Sequence, residues 1–558
     1  MSQPNAPGSA ASAGQTGSSA NAAAERIAHG YDSAAQSVTL GSVVIDGSVD
    51  PAALVRIPLA MFNRHGLVAG ATGTGKTKTL QGIAEQLSAA GVPVLIPDIK
   101  GDLSGLATPG TASDGIMKRA GDTGDAWAPQ AYPVEFLCLA GQGTGVPVRA
   151  TIDSFGPILL SKVLGLNETQ ESTLGLIFHW ADQQNLPMLD IKDLREVIMY
   201  LTDDEGKADL KALGGVSSAT AGVILRAVTN LESQGGDQFF GEPEFAIDDL
   251  MRTDPSGRGV ISLLEVSGLQ SRPALYSTFL MWLLAELFEH LPEVGDIDKP
   301  KLVFLFDESH LLFADASKAF RDAIVQTVKL IRSKGVGVFF CSQLPTDIPA
   351  PVLSQLGARV QHALRAFTPA DQQALAMTVK TYPTTSDYDL ATALTSLGIG
   401  EAIVTVLSDK GAPTPVAWTR MRAPRSLMDT IPPDAISAAV AVSPLSAKYG
   451  TPIDRNSAYE MLTARLAQHQ PDATPVPGSP VPGGYPAPGY GLPGGDDLPG
   501  GYAVPGGSGR AGAGAGAMLG EIMGNTVVKS FMRSMATAVG GALGRSIFGT
   551  RSRSTRRR

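Results

Sequence analysis

Residues 65–79 read His-Gly-Leu-Val-Ala-Gly-Ala-Thr-Gly-Thr-Gly-Lys-Thr-Lys-Thr. Within them Gly70, Ala71, Thr72, Gly73, Thr74, Gly75, Lys76 and Thr77 satisfy G-x-x-x-x-G-K-[ST] at every fixed position. Such a loop constrains the fold because it works only between a strand and a helix. Both flanks comply. Gly66 to Ala69 is an apolar run that suits a buried strand, and Leu80, Ile83, Ala84 and Leu87 repeat at helical spacing. The residue types match a bound triphosphate. Gly70, Gly73 and Gly75 let backbone N–H groups turn inward toward phosphate oxygens, and the helix N-terminus adds partial positive charge. Lys76 is placed for the β- and γ-phosphates, and Thr77 offers a hydroxyl to Mg²⁺. Lys78 completes the candidate nucleotide-binding set.

The chain supplies the second half of such a site further on. Lys301-Leu-Val-Phe-Leu-Phe306 reads as a buried strand ending in Asp307-Glu308. Asp307 would hold Mg²⁺, directly or through water, and Glu308 would orient and polarise the attacking water. Val336 to Cys341 reads as another strand, and Gln343 at its tip is placed to sense the γ-phosphate. Gly91 to Asp98 is a strand ending in Asp98-Ile-Lys100-Gly-Asp102. These charges would face the ligand crevice if the strand lies beside the phosphate loop, and otherwise form a solvated turn. ATP and Mg²⁺ are therefore the expected substrate and cofactor.

Strands alternating with helices predict an α/β fold with a mainly parallel central sheet. Residues 1–24 are rich in Ser, Ala and Gly and are expected to be disordered. Residues 25–60 carry two strands, Ser37 to Asp46 and Leu54 to Leu59, and read as a small β element. The catalytic core is expected over 61–149 and 251–470, interrupted at 150–250 by an all-α insertion. Pro/Gly repeats over 471–509 predict a flexible linker. Residues 510–558 read as a basic amphipathic helix with Gly520/Gly524 and Gly540/Gly544 four apart. That helix suits self-association, nucleic acid or an anionic membrane surface.

Charge limits the choice of partner. From Arg510 onward there are nine basic residues and one acidic, so this tail is +8, while the whole chain is −9 and the rest is therefore −17. An acidic body confines any DNA contact to a local surface such as a pore lining. Two cysteines, Cys138 and Cys341, exclude a disulfide framework and a four-cysteine zinc site, and suit the cytoplasm. No secretory signal and no run of 18 apolar residues is present, so no spanning helix is expected.

Together these motifs resemble the HerA/FtsK superfamily of ring-forming, DNA-pumping ATPases, and within it the YjgR-type HerA-like proteins of bacteria. The residues that carry the resemblance are 63–77, Asp98 to Gly105, Phe306 to Phe313, Leu330 to Gly337 and Leu356 to Phe367. It implies a RecA-like core, a hexameric ring with nucleotide between subunits, and an arginine that reaches a neighbour's γ-phosphate. Arg332 stands at the matching position, and Arg359 is the second candidate. The functional expectation is an ATP-driven motor on double-stranded DNA. An ATPase that remodels a protein partner, or a nucleotide-switched scaffold, is the alternative. A small-molecule kinase accounts poorly for the Asp-Glu pair, the arginine and the insertion together.

Overall fold

A computed structural model of the chain describes residues 13–139, 141, 143–212, 215–266, 273–313 and 318–469. The linker expected over 471–509 and the basic helix expected over 510–558 lie outside them. Met1–Leu462 form one compact unit; of the second, Thr463–Arg558, the described part is the end of a helix. The strands are β1 (Ser37–Ile45), β2 (Ser48–Pro58), β3 (Gly66–Ala69), β4 (Val94–Asp98), β5 (Val134–Leu139), β6 (Val146–Val148), β7 (Ile261–Glu265), β8 (Leu302–Phe306), β9 (Val336–Ser342), β10 (Ala358–Gln361), β11 (Glu401–Thr405) and β12 (Ala417–Met421). They form one sheet in the order β2-β1-β12-β11-β10-β3-β9-β8-β4-β7-β5-β6. From β10 to β6 every neighbouring pair is parallel; from β10 back to β2 every pair is antiparallel. This is the α/β architecture with a mainly parallel central sheet that the sequence predicts.

Each of β3, β4, β8 and β9 is buried along its whole length. Parallel strands covered on both faces read as continuous apolar runs, which is why they were legible in sequence. Successive side chains enter opposite cores. Phe304, Phe306 and Phe340 join one core, while Val303, Leu305 and Phe339 join the other.

The first core holds the helical insertion: α4 (Ile152–Val163), α5 (Glu168–Gln183), α6 (Ile191–Thr202), α7 (Lys207–Ala212), α8 (Ser218–Leu231) and α9 (Asp237–Phe239). Trp180, Leu194, Ile224 and Phe239 are buried there beside Phe279 and Trp282 of α10 (Pro273–His290). Polar N-caps start these helices. Asn167 and Asp190 each form a reciprocal capping box with the third residue of α5 and α6. The second core packs α2 (Lys76–Ala89), through Leu80, Ile83, Ala84 and Leu87, against the sheet face that carries Val68. Helices α3 (Asp114–Asp122), α11 (Lys318–Leu330), α12 (Ala350–Leu353), α13 (Pro369–Val379) and α14 (Leu390–Ser396) complete the connections.

Two expectations need correction. The stretch 1–24 does not stay irregular, because α1 spans Ala13–His29. Alanine is the best helix former, and Ala24 and Ile27 are buried in the second core. The β element of 25–60 is not separate. β1 pairs with β12, so the hairpin extends the main sheet. Its turn is Asp46-Gly47, with φ of 50° and 75°, a two-residue reversal that suits the twist of the strands. Three helices were also missed: α15 (Pro433–Ala441), α16 (Pro444–Tyr449) and α17 (Ala458–His469). α16 and α17 dock on the insertion, while α15 packs on β5 and the second core. The Tyr449 hydroxyl donates to Asp249 Oδ2 at 2.6 Å, its ring lies 4.9 Å from that of Phe245, and Arg455 pairs with Glu242.

His65 ties α11 to the sheet just ahead of β3. Its Nε2 donates to the Val328 carbonyl at 2.8 Å, and its Nδ1 accepts from the Val338 N–H at 3.1 Å. These partners require neutral imidazole, and burial pushes the group down to about 4. An unfolded imidazole takes its proton near 6.5, so this contribution to stability is intact above that pH. It is lost as pH falls toward 4, at about 1.4 kcal/mol per unit. Urea unfolding across that window should fall less steeply for His65→Leu than for the wild type. An unchanged slope would mean that His65 is charged in the native state.

Candidate functional site

The parallel strands bring their carboxyl ends to one edge of the sheet, where an α/β protein builds its ligand crevice. β3 runs into the phosphate loop there, its neighbour β9 delivers Ser342-Gln343, and β8 on the far side of β9 delivers Asp307-Glu308. The loop is held from several sides. The Gly70 N–H donates to the Ser342 carbonyl at 3.2 Å, Ala71 N–H to Ala363 at 2.8 Å, and Gly400 N–H to Thr74 at 2.9 Å. Arg119 fixes that last contact by donating to the carbonyls of Gly400 and Ile399, each at 2.9 Å. Gly70 has φ 152°, and a Cβ there would lie 2.5 Å from His362 Cβ.

His362 is fully buried behind the loop. Its Nδ1 lies 2.8 Å from the Glu401 carbonyl, which can only accept, so Nε2 accepts from the Thr79 hydroxyl at 3.0 Å. Burial pushes His362 down to about 4. The ring thus stays neutral and locks the first turn of α2 to the end of β10.

Lys76 is buried and donates to the Ala71 carbonyl at 3.2 Å within the loop. Thr77 is half-buried in the first turn of α2, and Thr72 and Gly73 are exposed at the loop tip. Lys78 points elsewhere. It donates to Gln81 Oε1 at 3.1 Å and lines a cavity of about 210 Å³ with Gln86, Tyr132 and Arg422.

Asp307 is 1% exposed. Its Oδ1 accepts from the Glu308 N–H at 2.9 Å, and its Oδ2 is buried with no hydrogen-bond partner among the described residues. Burial raises its pKa, against the pull of Lys100. Glu308 sits at φ 44°, ψ 44°, a left-handed conformation costing about 1–2 kcal/mol for a residue with a Cβ. Its Oε1 takes an ion pair from Lys100, and its Oε2 lies 3.2 Å from His310 Nδ1. Burial alone would raise Glu308, but the bond and charge of Lys100 outweigh it and hold the carboxyl below its ordinary value.

The charged end of β4 therefore divides. Lys100 faces the acidic pair. Asp98 is buried and accepts the N–H groups of Gly101 at 2.7 Å and Leu103 at 3.1 Å, which shapes the turn. Desolvation pushes Asp98 up to about 6.

Gln343 is exposed at the tip of β9, at the same edge as Glu308. Arg332 and Arg359 are not at this edge. Arg332 precedes β9 and Arg359 is the second residue of β10, so both lie at the amino ends of the strands. Sequence reasoning missed Lys100 as a partner of Glu308, His362, and Arg365, which donates to the Thr72 carbonyl at 3.3 Å. All three lie in stretches already singled out, but only pairing across the sheet shows what they touch.

The family model for the helicase HerA-like C-terminal region matches residues 46–558. The chain belongs to this family. No curated protein matches it. Among solved structures, this HerA-like chain is similar to the bacterial conjugative coupling protein TrwBdeltaN70, at 15% identity and TM-score 0.46, over 73% of this chain and 95% of that one. It is also similar to plasmid coupling protein TrwB in complex with ADP and Mg²⁺, at 16% identity and TM-score 0.47 over the same shares. VirB4 of Thermoanaerobacter pseudethanolicus matches at 15% identity and TM-score 0.43, over 70% of this chain and 98% of that one.

The loop's tight packing can be tested. Gly70→Ala combines left-handed backbone with a clash and should destabilise the chain by about 2–3 kcal/mol. A Cβ at Gly73, φ 80°, meets nothing within 4 Å, so Gly73→Ala should cost only the backbone strain of about 1 kcal/mol. Urea unfolding of the two variants checks the order.

Proposed function

We propose that this HerA-like chain is an ATPase that uses Mg²⁺ and works as a homo-hexameric ring moving on double-stranded DNA. The observation that carries the ATPase reading is the convergence of Lys76, Asp307 and Glu308 on one edge of three adjacent parallel strands, with one Asp307 oxygen unpartnered. That oxygen and the Thr77 hydroxyl are oxygen donors of the kind a hard divalent cation takes, and magnesium needs few from the protein. When bound, Mg²⁺ neutralises charge on the phosphates and orients them.

The chain's own residues divide the remaining work. The loop N–H groups and Lys76 hold the phosphates of ATP. Glu308 takes a proton from water as the water attacks the γ-phosphorus and the bond to ADP breaks. Lys100 keeps Glu308 ionised and therefore able to accept that proton. Gln343 hydrogen-bonds the γ-phosphate or the water. Arg332 or Arg359, at the far edge of the sheet, serves the nucleotide of a neighbouring subunit. DNA as the substrate rests on family membership alone. The buried free thiols of Cys138 and Cys341 support a reducing, cytoplasmic setting.

Steady-state hydrolysis tests the reading. Lys76→Ala and Glu308→Gln should each lower turnover by about 100-fold or more. Normal turnover by Glu308→Gln would remove it from the mechanism. Stimulation that rises with duplex length, and falls steeply with salt as the entropy gained by releasing counterions shrinks, would support movement along DNA. One observation favours a second reading: the charge of −17 on the residues before Arg510. ATP turnover indifferent to every DNA would transfer the motor to a protein partner, recruited through the basic C-terminal helix.

A further inference from the structure

The phosphate loop lies between two groups of strands. On one side β9 and β8 carry Gln343, Asp307 and Glu308, which serve the γ-phosphate and Mg²⁺ on the ATPase reading. On the other side lie β10 and then β11. A nucleoside triphosphate carries its base at the end opposite its γ-phosphate. With the γ-phosphate toward β9 and β8, the base leaves the loop toward β10 and β11.

Two segments meet the loop on that side, and each is pinned to it. Leaving β10, the Ala363 carbonyl accepts from the Ala71 N–H at 2.8 Å, and Arg365 donates to the Thr72 carbonyl at 3.3 Å. Phe367 follows two residues later. Entering β11, the Gly400 N–H donates to the Thr74 carbonyl at 2.9 Å, and Ile399 stands just before it. Phe367 is 83% exposed and Ile399 is 74% exposed. Of the other large apolar residues described, only Val442 is as exposed. A single exposed apolar side chain is unremarkable. Two of the three most exposed, both beside the phosphate loop, ask for a reason.

Local structure does not supply one. Phe367 precedes Thr368, the N-cap of α13, which forms a capping box with Asp371. An apolar residue at that position commonly packs on the fourth residue of the helix. Here that residue is Gln372, which is polar and exposed, so no such staple forms. The turn at Ile399 has its main chain committed. Arg119 takes the carbonyls of Ile399 and Gly400, and the Gly400 carbonyl also accepts from the Met421 N–H at 2.9 Å. What this turn leaves for a ligand is the apolar side chain.

We infer that Phe367 and Ile399 form a nucleobase subsite, which holds the base of a nucleotide bound in the phosphate loop by its faces and leaves its edges unread. The inference rests on the ATPase reading and extends it to the choice of substrate. An aromatic ring and a branched aliphatic chain favour any base, because every base has a π-face. Discrimination between purines needs hydrogen bonds to their edges, which these two side chains cannot make. The substrate class is therefore purine nucleoside triphosphates, with ATP and GTP accepted alike.

Calorimetry on the full chain with Mg²⁺ tests this, with ADP, GDP and inorganic pyrophosphate as probes. ADP and GDP should bind within about threefold of each other. Phe367→Ala should weaken ADP about 10-fold, and Ile399→Ala several-fold, with pyrophosphate unchanged in both. Phe367→Trp, which keeps an aromatic face, should retain ADP affinity. Both side chains are exposed, so the variants should fold, and melting curves check that they do.

Equal loss of ADP and pyrophosphate would place the effect on the loop and overturn the subsite. So would intact ADP affinity in both alanine variants, or a strong preference between ADP and GDP. Intact ADP affinity with a lowered oligomeric mass in sedimentation would reassign the two side chains to a contact between copies. The wild type separates the two readings. Binding ADP no more tightly than pyrophosphate would end the subsite and leave the phosphate loop standing, whereas binding none of the three probes would end the ATPase reading and the subsite with it.

Discussion

The short strand β3 is hydrogen-bonded in parallel between β9 and β10, and the candidate site depends on that pairing. It sets the register that places the phosphate loop beside Ser342 on one side and His362 on the other. The loop cannot hold itself. Its glycines permit the conformation, but the Ser342, Ala363 and Gly400 contacts select it. His362 adds a check from below, neutral because it is buried, and joined to both Thr79 and the Glu401 carbonyl. A flexible sequence thereby becomes a preorganised cradle.

The acidic pair poses the opposite problem. Asp307 and Glu308 are buried side by side, and burial disfavours both charges. Lys100 resolves this from the end of β4, two strands away from the phosphate loop's nearest neighbour β9. It stabilises the ionised form of Glu308 directly and that of Asp307 by its field. The unpartnered Asp307 oxygen and the left-handed backbone at Glu308 are local costs that the surrounding sheet sustains. Unsatisfied groups and strain of this kind concentrate where a ligand is to be held.

At the opposite edge the imbalance is positive. Arg64, Arg332 and Arg359 face a common cavity with the exposed Asp296 beside them. The two edges of the sheet thus differ in charge, with a buried acidic pair at one and a cluster of arginines at the other. The insertion and the helices α16 and α17 stand apart from this polarity, thickening one core without contributing a residue named at either edge.

The strand–loop–helix around Lys76 and the strand ending in Asp307-Glu308 were legible because their signals are local: fixed glycine spacing, apolar runs and helical periodicity. Composition, charge and the two cysteines follow from the chain alone as well. The sequence by itself therefore determined the fold class, the phosphate loop and the acidic pair. The tertiary structure alone decided that α1 packs in a stretch that looks disordered, that the Asp46-Gly47 hairpin joins the main sheet, and that Lys100 meets Glu308. It also decided that Lys78 turns away from the loop and that Arg64 stands with Arg332. The reason is physical. These outcomes depend on contacts between residues tens to hundreds of positions apart, and on which face of a strand or helix each side chain leaves, and no local pattern encodes either.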